Sequence, residues 1–192
     1  MDYIVRKLNE VDSERIIEHF CELESEDRRL RFGTAISNYA IRHYVEESFK
    51  DNGSVWFGID DDSGKLLSTC HVAITDDFAE LGCSVVSKYR GYGLAQSMFS
   101  RAVTYLRTKS IKTVFMHCLT ENHVMRYIAQ KNDMVVVTCS QDEVDTELNI
   151  KPPTPSTFVE NAYMDNMAFY DMITKNSLRM FKLFSGGSSR RT

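Results

Sequence analysis

The chain alternates between two hydrophobic periods, and the switches between them mark its elements. Residues 3–8 alternate apolar and polar positions as a first strand would. Asp12 or Ser13 is placed to cap a helix reaching about Leu23, with Val11 available as a staple. A short, strongly charged helical segment follows, Asp27-Arg28-Arg29-Leu30-Arg31-Phe32, and Ser37 caps a further helix whose Ile41, Tyr44, Val45 and Phe49 share one apolar face. From Ser54 the period becomes that of strands, at 55–59, 66–74 and 78–86, with turns at 60–64 and 76–77, which predicts an antiparallel meander. A helix follows over 91–108 with a Leu94, Met98, Ala102, Tyr105 stripe, then a buried strand at 113–119, a helix at 122–131 and a strand at 135–139. Residues 144–150 are expected to form a last strand at the sheet edge.

Beyond 150 the pattern breaks. Lys151-Pro152-Pro153-Thr154-Pro155 removes donors and fixes an extended path, so 151–156 reads as a linker after a main domain of residues 1–150. Residues 157–184 read as a C-terminal helix, too rich in Phe158, Tyr163, Met167, Phe169 and Tyr170 to stay solvated. It is expected to pack on the domain, over the site, or on a second copy to make a homodimer. Residues 185–192, opening Ser-Gly-Gly-Ser-Ser, read as a flexible tail.

Composition narrows the class. A chain of 192 residues, 43% hydrophobic and 26% charged, suits one domain with a sizeable core. Its net charge of −4 argues against a nucleic-acid or anionic-membrane surface. Cys21, Cys70, Cys83, Cys118 and Cys139 are odd in number and show no C-x-x-C, so they read as reduced core residues. No apolar run approaches the ~18 residues of a membrane span and no signal peptide is visible, so a cytoplasmic protein is expected.

The most informative stretch is Ser84-Val85-Val86-Ser87-Lys88-Tyr89-Arg90-Gly91-Tyr92-Gly93-Leu94-Ala95, which joins a strand to a helix through a glycine-bearing turn. Glycines let backbone approach a ligand closely, and the free N–H groups of a first helical turn favour an anion. A plain tight turn has the same look. A Walker loop is excluded, because no Lys followed by Ser or Thr comes after the second glycine. A dinucleotide fingerprint is half present, since position 96 is Gln.

Arg90-x-x-Gly93-x-Ala95 resembles the (Q/R)-x-x-G-x-(G/A) signature of the GNAT superfamily of acetyl-CoA-dependent N-acetyltransferases, and the order of parts over residues 54–139 is similar to that superfamily. The resemblance implies a mixed α/β fold: a six- to seven-stranded, mostly antiparallel sheet with a central parallel pair, flanked by helices. It implies acetyl-CoA as co-substrate. The pantetheine arm would meet the main chain of Cys83, Ser84 and Val85, and the diphosphate would meet Arg90, Gly91, Tyr92, Gly93, Leu94, Ala95 and Gln96. Asn122 falls where the family often has an asparagine near the cofactor, and a plain helix N-cap is the other reading.

Glu80, in Glu80-Leu81-Gly82, resembles the family glutamate that serves as general base, which an ammonium needs before it can attack a thioester. An exposed strand-end carboxylate is the other reading. The family tyrosine that protonates the departing thiolate has no counterpart, for that position is Ala129, and Tyr127 is expected to face elsewhere. With Glu80 and the missing tyrosine, the Arg-Phe segment is similar to bacterial protein lysine acetyltransferases. Arg28, Arg29 and Arg31 are expected to form a solvated face, with cofactor phosphates as the other use. The implied acceptor is a small-molecule amine or a protein lysine. Ala129 also suggests an alternative, a non-catalytic acyl-CoA-binding regulatory module.

No metal is expected, because zinc spacing is absent and His117 and Cys118 point to opposite faces of a strand. His71 or His117 is a candidate for the acceptor cleft, while His19, His43 and His123 read as helix-surface residues.

Overall fold

Seven strands form one sheet in the order β1-β2-β3-β4-β5-β7-β6. These are β1 (Arg6–Leu8), β2 (Ser54–Asp60), β3 (Leu66–Thr75), β4 (Phe78–Val85), β5 (Thr113–Leu119), β6 (Val135–Cys139) and β7 (Glu143–Asn149). The computed structural model describes residues 3–186. Every neighbouring pair is antiparallel except β4 and β5, so the sheet has the mostly antiparallel form with one central parallel pair that the resemblance implied.

The last strand is a correction. β7 inserts between β5 and β6, so the expected edge strand is internal and β6 is the edge. The burial pattern gives the reason: Val144 and Thr146 alternate into the core, whereas Val135, Val136 and Val137 are all exposed. A continuous apolar run carries no information on which side of a neighbour it pairs.

The helices α1 (Ser13–Glu22), α2 (Ser25–Phe32), α3 (Asn38–Lys50), α4 (Leu94–Thr108) and α5 (His123–Lys131) cover the two faces. On one face Ile16, Phe20, Ile41 and Val45 from α1 and α3 pack on Leu8, Trp56 and Leu66. On the other, Leu94, Met98, Ala102 and Leu106 of α4, with Ile128 of α5, pack on Phe57, Leu81 and Val114. Trp56 and Phe57 are consecutive in β2 and so anchor opposite cores. Ser37 caps α3 as expected, its Oγ accepting from the Ala40 N–H at 3.2 Å. Val11 is no staple, being 90% exposed. Asp12 makes no side-chain cap on α1; it accepts from the Asn9 N–H and pairs with Arg6 and Arg15.

The final helix, α6 (Pro155–Gly186), begins inside the segment expected as linker. Proline serves well as a first helical residue because its missing N–H has no partner there anyway. α6 packs on α4 through Arg101, a buried α4 residue that donates to Asn161 Oδ1 at 2.8 Å and pairs with Asp165. Farther along, Lys175 donates to the Asp60 carbonyl. Phe158, Tyr163, Phe169, Tyr170 and Phe181 remain exposed. Of the expected tail at 185–192, residues 187 onward lie outside the described residues. Among the described residues no helix is long and apolar enough to cross a membrane. Cys70, Cys83 and Cys118 are buried, but Cys21 is half-buried and Cys139 is exposed on the edge strand, so the core reading of the cysteines holds for three of them.

Candidate functional site

The parallel pair β4–β5 separates partway along. Pairing runs from Phe78 with Thr113 to Glu80 with Phe115 and stops. β4 continues against β3 to Val85, and β5 continues against β7 to Leu119. A wedge therefore opens past Glu80. In an antiparallel ladder every second residue turns its N–H and C=O away from the partner strand. Val86 donates to Leu67 in the β3–β4 register, so Leu81, Cys83 and Val85 present their main-chain groups to the wedge. Ser84 directs its main chain at Thr69 instead, a correction to its expected main-chain role.

A groove of about 380 Å³ fills the wedge. Every residue expected to face the cofactor lines it except Tyr92, whose side chain is 64% exposed and lies outside. At the groove's far end the turn before α4 holds Gly91 at φ 81° and Gly93 at φ 79°, the left-handed region where glycine carries no Cβ penalty. The main-chain N–H groups from Gly91 to Gln96 meet no acceptor among the described residues, and the first bond of the helix is Ser97 N–H to the Gly93 carbonyl at 3.0 Å. These donors and the positive end of the α4 dipole make a nest for an anion.

α2 lies across the mouth of the groove. Asp27 pairs with Arg90 at 2.5 Å, and Asn122 Nδ2 donates to the Leu30 carbonyl at 3.3 Å. Asn122 also caps α5, its Oδ1 accepting from the Met125 N–H at 3.1 Å, so both readings of this residue coexist at one position on the groove wall. Gln96 and Asn132 exchange amide hydrogen bonds that tie the start of α4 to the end of α5.

Sequence reasoning missed part of the lining. Tyr127 lines the groove, contrary to expectation, because Val124, Tyr127, Ile128 and Lys131 form the groove-facing stripe of α5 while Ala129 is buried behind it. The i, i+3, i+4, i+7 spacing of these four residues was the available signal. Arg31 also lines the groove and is not part of a solvated face, whereas Arg29 is exposed on Glu26 and Glu121.

Glu80 is exposed at the last paired position, on the sheet face opposite α4. The same face carries His117, whose Nδ1 lies 2.6 Å from Asp145 Oδ1 and whose Nε2 lies 3.5 Å from Glu143. The hydrogen bond with Asp145 raises the His117 pKa above its ordinary value, and the charges of Glu143 and Glu80 add to this. His71 sits elsewhere, stacked on Trp56 and bonded to Tyr44, with burial pushing its pKa down to about 3. His19, expected on a helix surface, is buried, donates through Nδ1 to the Leu66 carbonyl at 3.1 Å and accepts from Ser84 Oγ at 2.7 Å. Among the described residues no group of His, Cys, Asp and Glu is arranged to hold a metal.

The donor set fits an extended, amide-bearing arm that ends in a diphosphate: a free strand edge at Leu81–Val85 leads into the unpaired amides of Gly91–Gln96. Comparison with known proteins agrees with that architecture. A family model described as an acetyltransferase (GNAT) domain matches residues 3–135. No curated protein sequence matches. Among solved structures, the GNAT domain of S. lividans PAT is 17% identical, with 76% of this chain and 89% of that chain covered at a TM-score of 0.65. PaiA N-acetyltransferase from Thermoplasma acidophilum, in complex with coenzyme A, is 18% identical over 78% of this chain and 99% of that chain, TM-score 0.60. Spermidine N-acetyltransferase from Vibrio cholerae, in complex with CoA and spermine, is 16% identical over 77% and 95%, TM-score 0.64. At these identities the likeness is one of fold.

Proposed function

This chain belongs to the GNAT acetyltransferase family, and from that premise we propose that it moves an acetyl group from acetyl-CoA to a cationic primary amine, foremost a protein lysine, by direct attack in a ternary complex. The observation that carries the reading is the coincidence, in one groove, of a strand edge freed just past Glu80 and a run of unpaired amides at the start of α4. Acetyl-CoA supplies an activated acyl carbon and a thiol leaving group. Leu81, Cys83 and Val85 hold the arm through main-chain hydrogen bonds, and Gly91–Gln96 hold the diphosphate. Glu80, at the apex of the wedge, accepts the proton that the ammonium must lose.

The acceptor side supports a cation. Glu80, Asp145 and Glu143 gather on one sheet face with His117 among them; α1 and α3 pack over β3 and β2, and α2 crosses β4 and β5 beside them. This face is open, with Asp145 and Glu143 side chains 43% and 56% exposed, which suits an amine carried on a larger molecule. The test is release of free thiol from acetyl-CoA with a lysine-containing peptide and with spermidine, run beside Glu80→Gln. Turnover with neither amine, with CoA bound, selects the non-catalytic module. Unchanged turnover in Glu80→Gln removes Glu80 from its role.

The assembly belongs to the same proposal. α6 exposes Phe158, Tyr163, Phe169, Tyr170 and Phe181, a broad apolar surface of the kind that a second copy covers. Light scattering of the full chain tests for a homodimer, and a monomer at high concentration excludes it.

A further inference from the structure

Ala129 leaves the departing thiolate without the tyrosine acid that the resemblance implies, and Arg31, a cation on the groove wall, has no carboxylate partner among the described residues. Arg31 reaches from α2 to Gly82, two residues beyond the last β4–β5 pair at Glu80. The guanidinium lies flat on the glycine: a Cβ built at Gly82 would fall 2.8 Å from Arg31 Cζ. Aromatic rings frame it, with Phe20 and Phe32 centroids at 5.6 and 5.1 Å. Its one hydrogen bond is from Nη2 to Tyr44 Oη at 3.3 Å, its Nε is buried without an acceptor, and no carboxylate pairs with it among the described residues. A half-buried cation on a groove wall with donors unspent is an arrangement that an incoming negative charge completes.

The support behind Arg31 is directional. Tyr44 accepts from Arg31 and donates to His71 Nδ1 at 2.7 Å. His71 Nε2 then donates to Ser54 Oγ at 3.0 Å, and Ser54 donates to Asp51 at 3.4 Å. The chain has one consistent polarity because burial keeps His71 neutral. His71 also faces Gly82 across the β3–β4 ladder, so the whole relay is fixed to the strand that forms the wedge.

We propose that Arg31 stabilises the negative charge that gathers on the thioester sulfur as the carbon–sulfur bond breaks, doing electrostatically what a proton donor would do at the position of Ala129. The amine nitrogen forms the new bond to the acyl carbon, its proton passes to Glu80, and the electron pair of the broken bond stays on sulfur beside the guanidinium. The inference rests on the acetyl-CoA reading of the groove, and Tyr44 and His71 are positioning residues within it.

The test titrates the thiol of bound CoA by its thiolate absorbance, with the full chain. In the wild type the thiol titrates below the ordinary ~8.5 by about one unit or more, as a cation within a few ångströms requires. Arg31→Met raises it back, with the bound CoA retained, and the rate with a lysine peptide falls roughly 10²-fold, the usual loss for one electrostatic donor. Gly82→Ala keeps the charge in the chain but displaces the guanidinium, and shifts the thiol in the same direction; it serves if Arg31→Met does not fold. Tyr127→Phe leaves the thiol unchanged. Equal titration in wild type and Arg31→Met, or a shift in Tyr127→Phe alone, overturns the role of Arg31 while CoA binding stands. Failure of the wild type to bind CoA overturns the acetyl-CoA reading and this inference together.

Discussion

His19 Nε2 lies 2.7 Å from Ser84 Oγ, joining a buried helix residue to the strand that lines the groove. With Nδ1–H spent on the Leu66 carbonyl, Nε2 must accept, so the ring is neutral and the Ser84 proton is committed to it. Burial pushes the His19 pKa down to about 4 from 6.5. The unfolded chain therefore binds a proton between these values that the folded chain refuses, and stability falls as pH drops through that window. The full loss, complete below the folded pKa, is on the order of 3 kcal/mol. Thermal melting at about pH 5 is expected several degrees below that at about pH 7, and His19→Gln is expected to flatten the difference. A profile equally steep in that variant assigns the effect to other groups, His71 first, whose pKa is depressed by burial in the same sense.

Asp27 holds Arg90 at the rim of the groove beside the unpaired amides of the α4 turn. A carboxylate there repels a diphosphate and occupies the cation that would meet it. Asp27→Asn is expected to tighten CoA binding several-fold, and Arg90→Ala to weaken it by about tenfold, the scale of a partly exposed charge-assisted bond. Calorimetry at low and high salt checks both, since the effects shrink as salt screens them. Weaker binding in Asp27→Asn would make the pair a structural clasp.

Gly93 has nothing within 4 Å of a Cβ built on it, yet its φ of 79° is strained for any other residue but glycine. Gly93→Ala is expected to cost roughly 1–2 kcal/mol in stability from backbone strain alone. Its effect on CoA affinity is expected to be larger, because the new methyl occupies space that the protein leaves to the ligand. Urea unfolding and CoA calorimetry on the same variant separate the two, and an affinity loss no larger than the stability loss rules out close approach of a ligand at this turn.

How much of this was legible follows from what is local. The strand, turn and helix from Cys83 to Gln96 are contiguous, so their period and glycines carried the cradle. Arg31 was not legible as a groove residue, because its place depends on α2 crossing to Gly82 in a distant strand, and a charged run has the same look on a solvated face. β7 was misplaced because pairing order leaves no mark on strand periodicity. His19 had a signal that was passed over: Ile16, His19 and Phe20 share the i, i+3, i+4 spacing of a buried stripe, and all three are buried.

Arg101 is a buried cation whose carboxylate partner comes from α6, so the helix is fastened at that point by charge as well as by apolar contact. Removing the partner leaves the guanidinium on Asn161 and the Phe57 ring, 5.1 Å away, with its charge uncompensated. Asp165→Ala is expected to cost about 2–4 kcal/mol, toward the lower end because Asp165 is half exposed. Urea unfolding measures this, and limited proteolysis within 157–184 is expected to quicken if α6 detaches first.

On the acceptor face, Asp145 is the partner that raises the His117 pKa. The sign follows: the folded state favours charged His117, a stabilisation present below the ordinary pKa of 6.5 and lost as pH rises through the folded value. The face is therefore less negative at low pH, when His117 offsets Asp145, and most negative once His117 is neutral. A cationic acceptor is then expected to bind better as pH rises through that range, over and above its own deprotonation. Asp145→Asn is expected to reduce kcat/KM for spermidine and for a lysine peptide by roughly 3- to 10-fold at low salt through a higher KM, with little change in kcat, as loss of one solvent-exposed charge allows. His117→Gln removes the pH-dependent part of KM. If Asp145→Asn instead lowers kcat with KM unchanged, Asp145 acts on the chemistry at Glu80, and the face has no role in drawing the cation in.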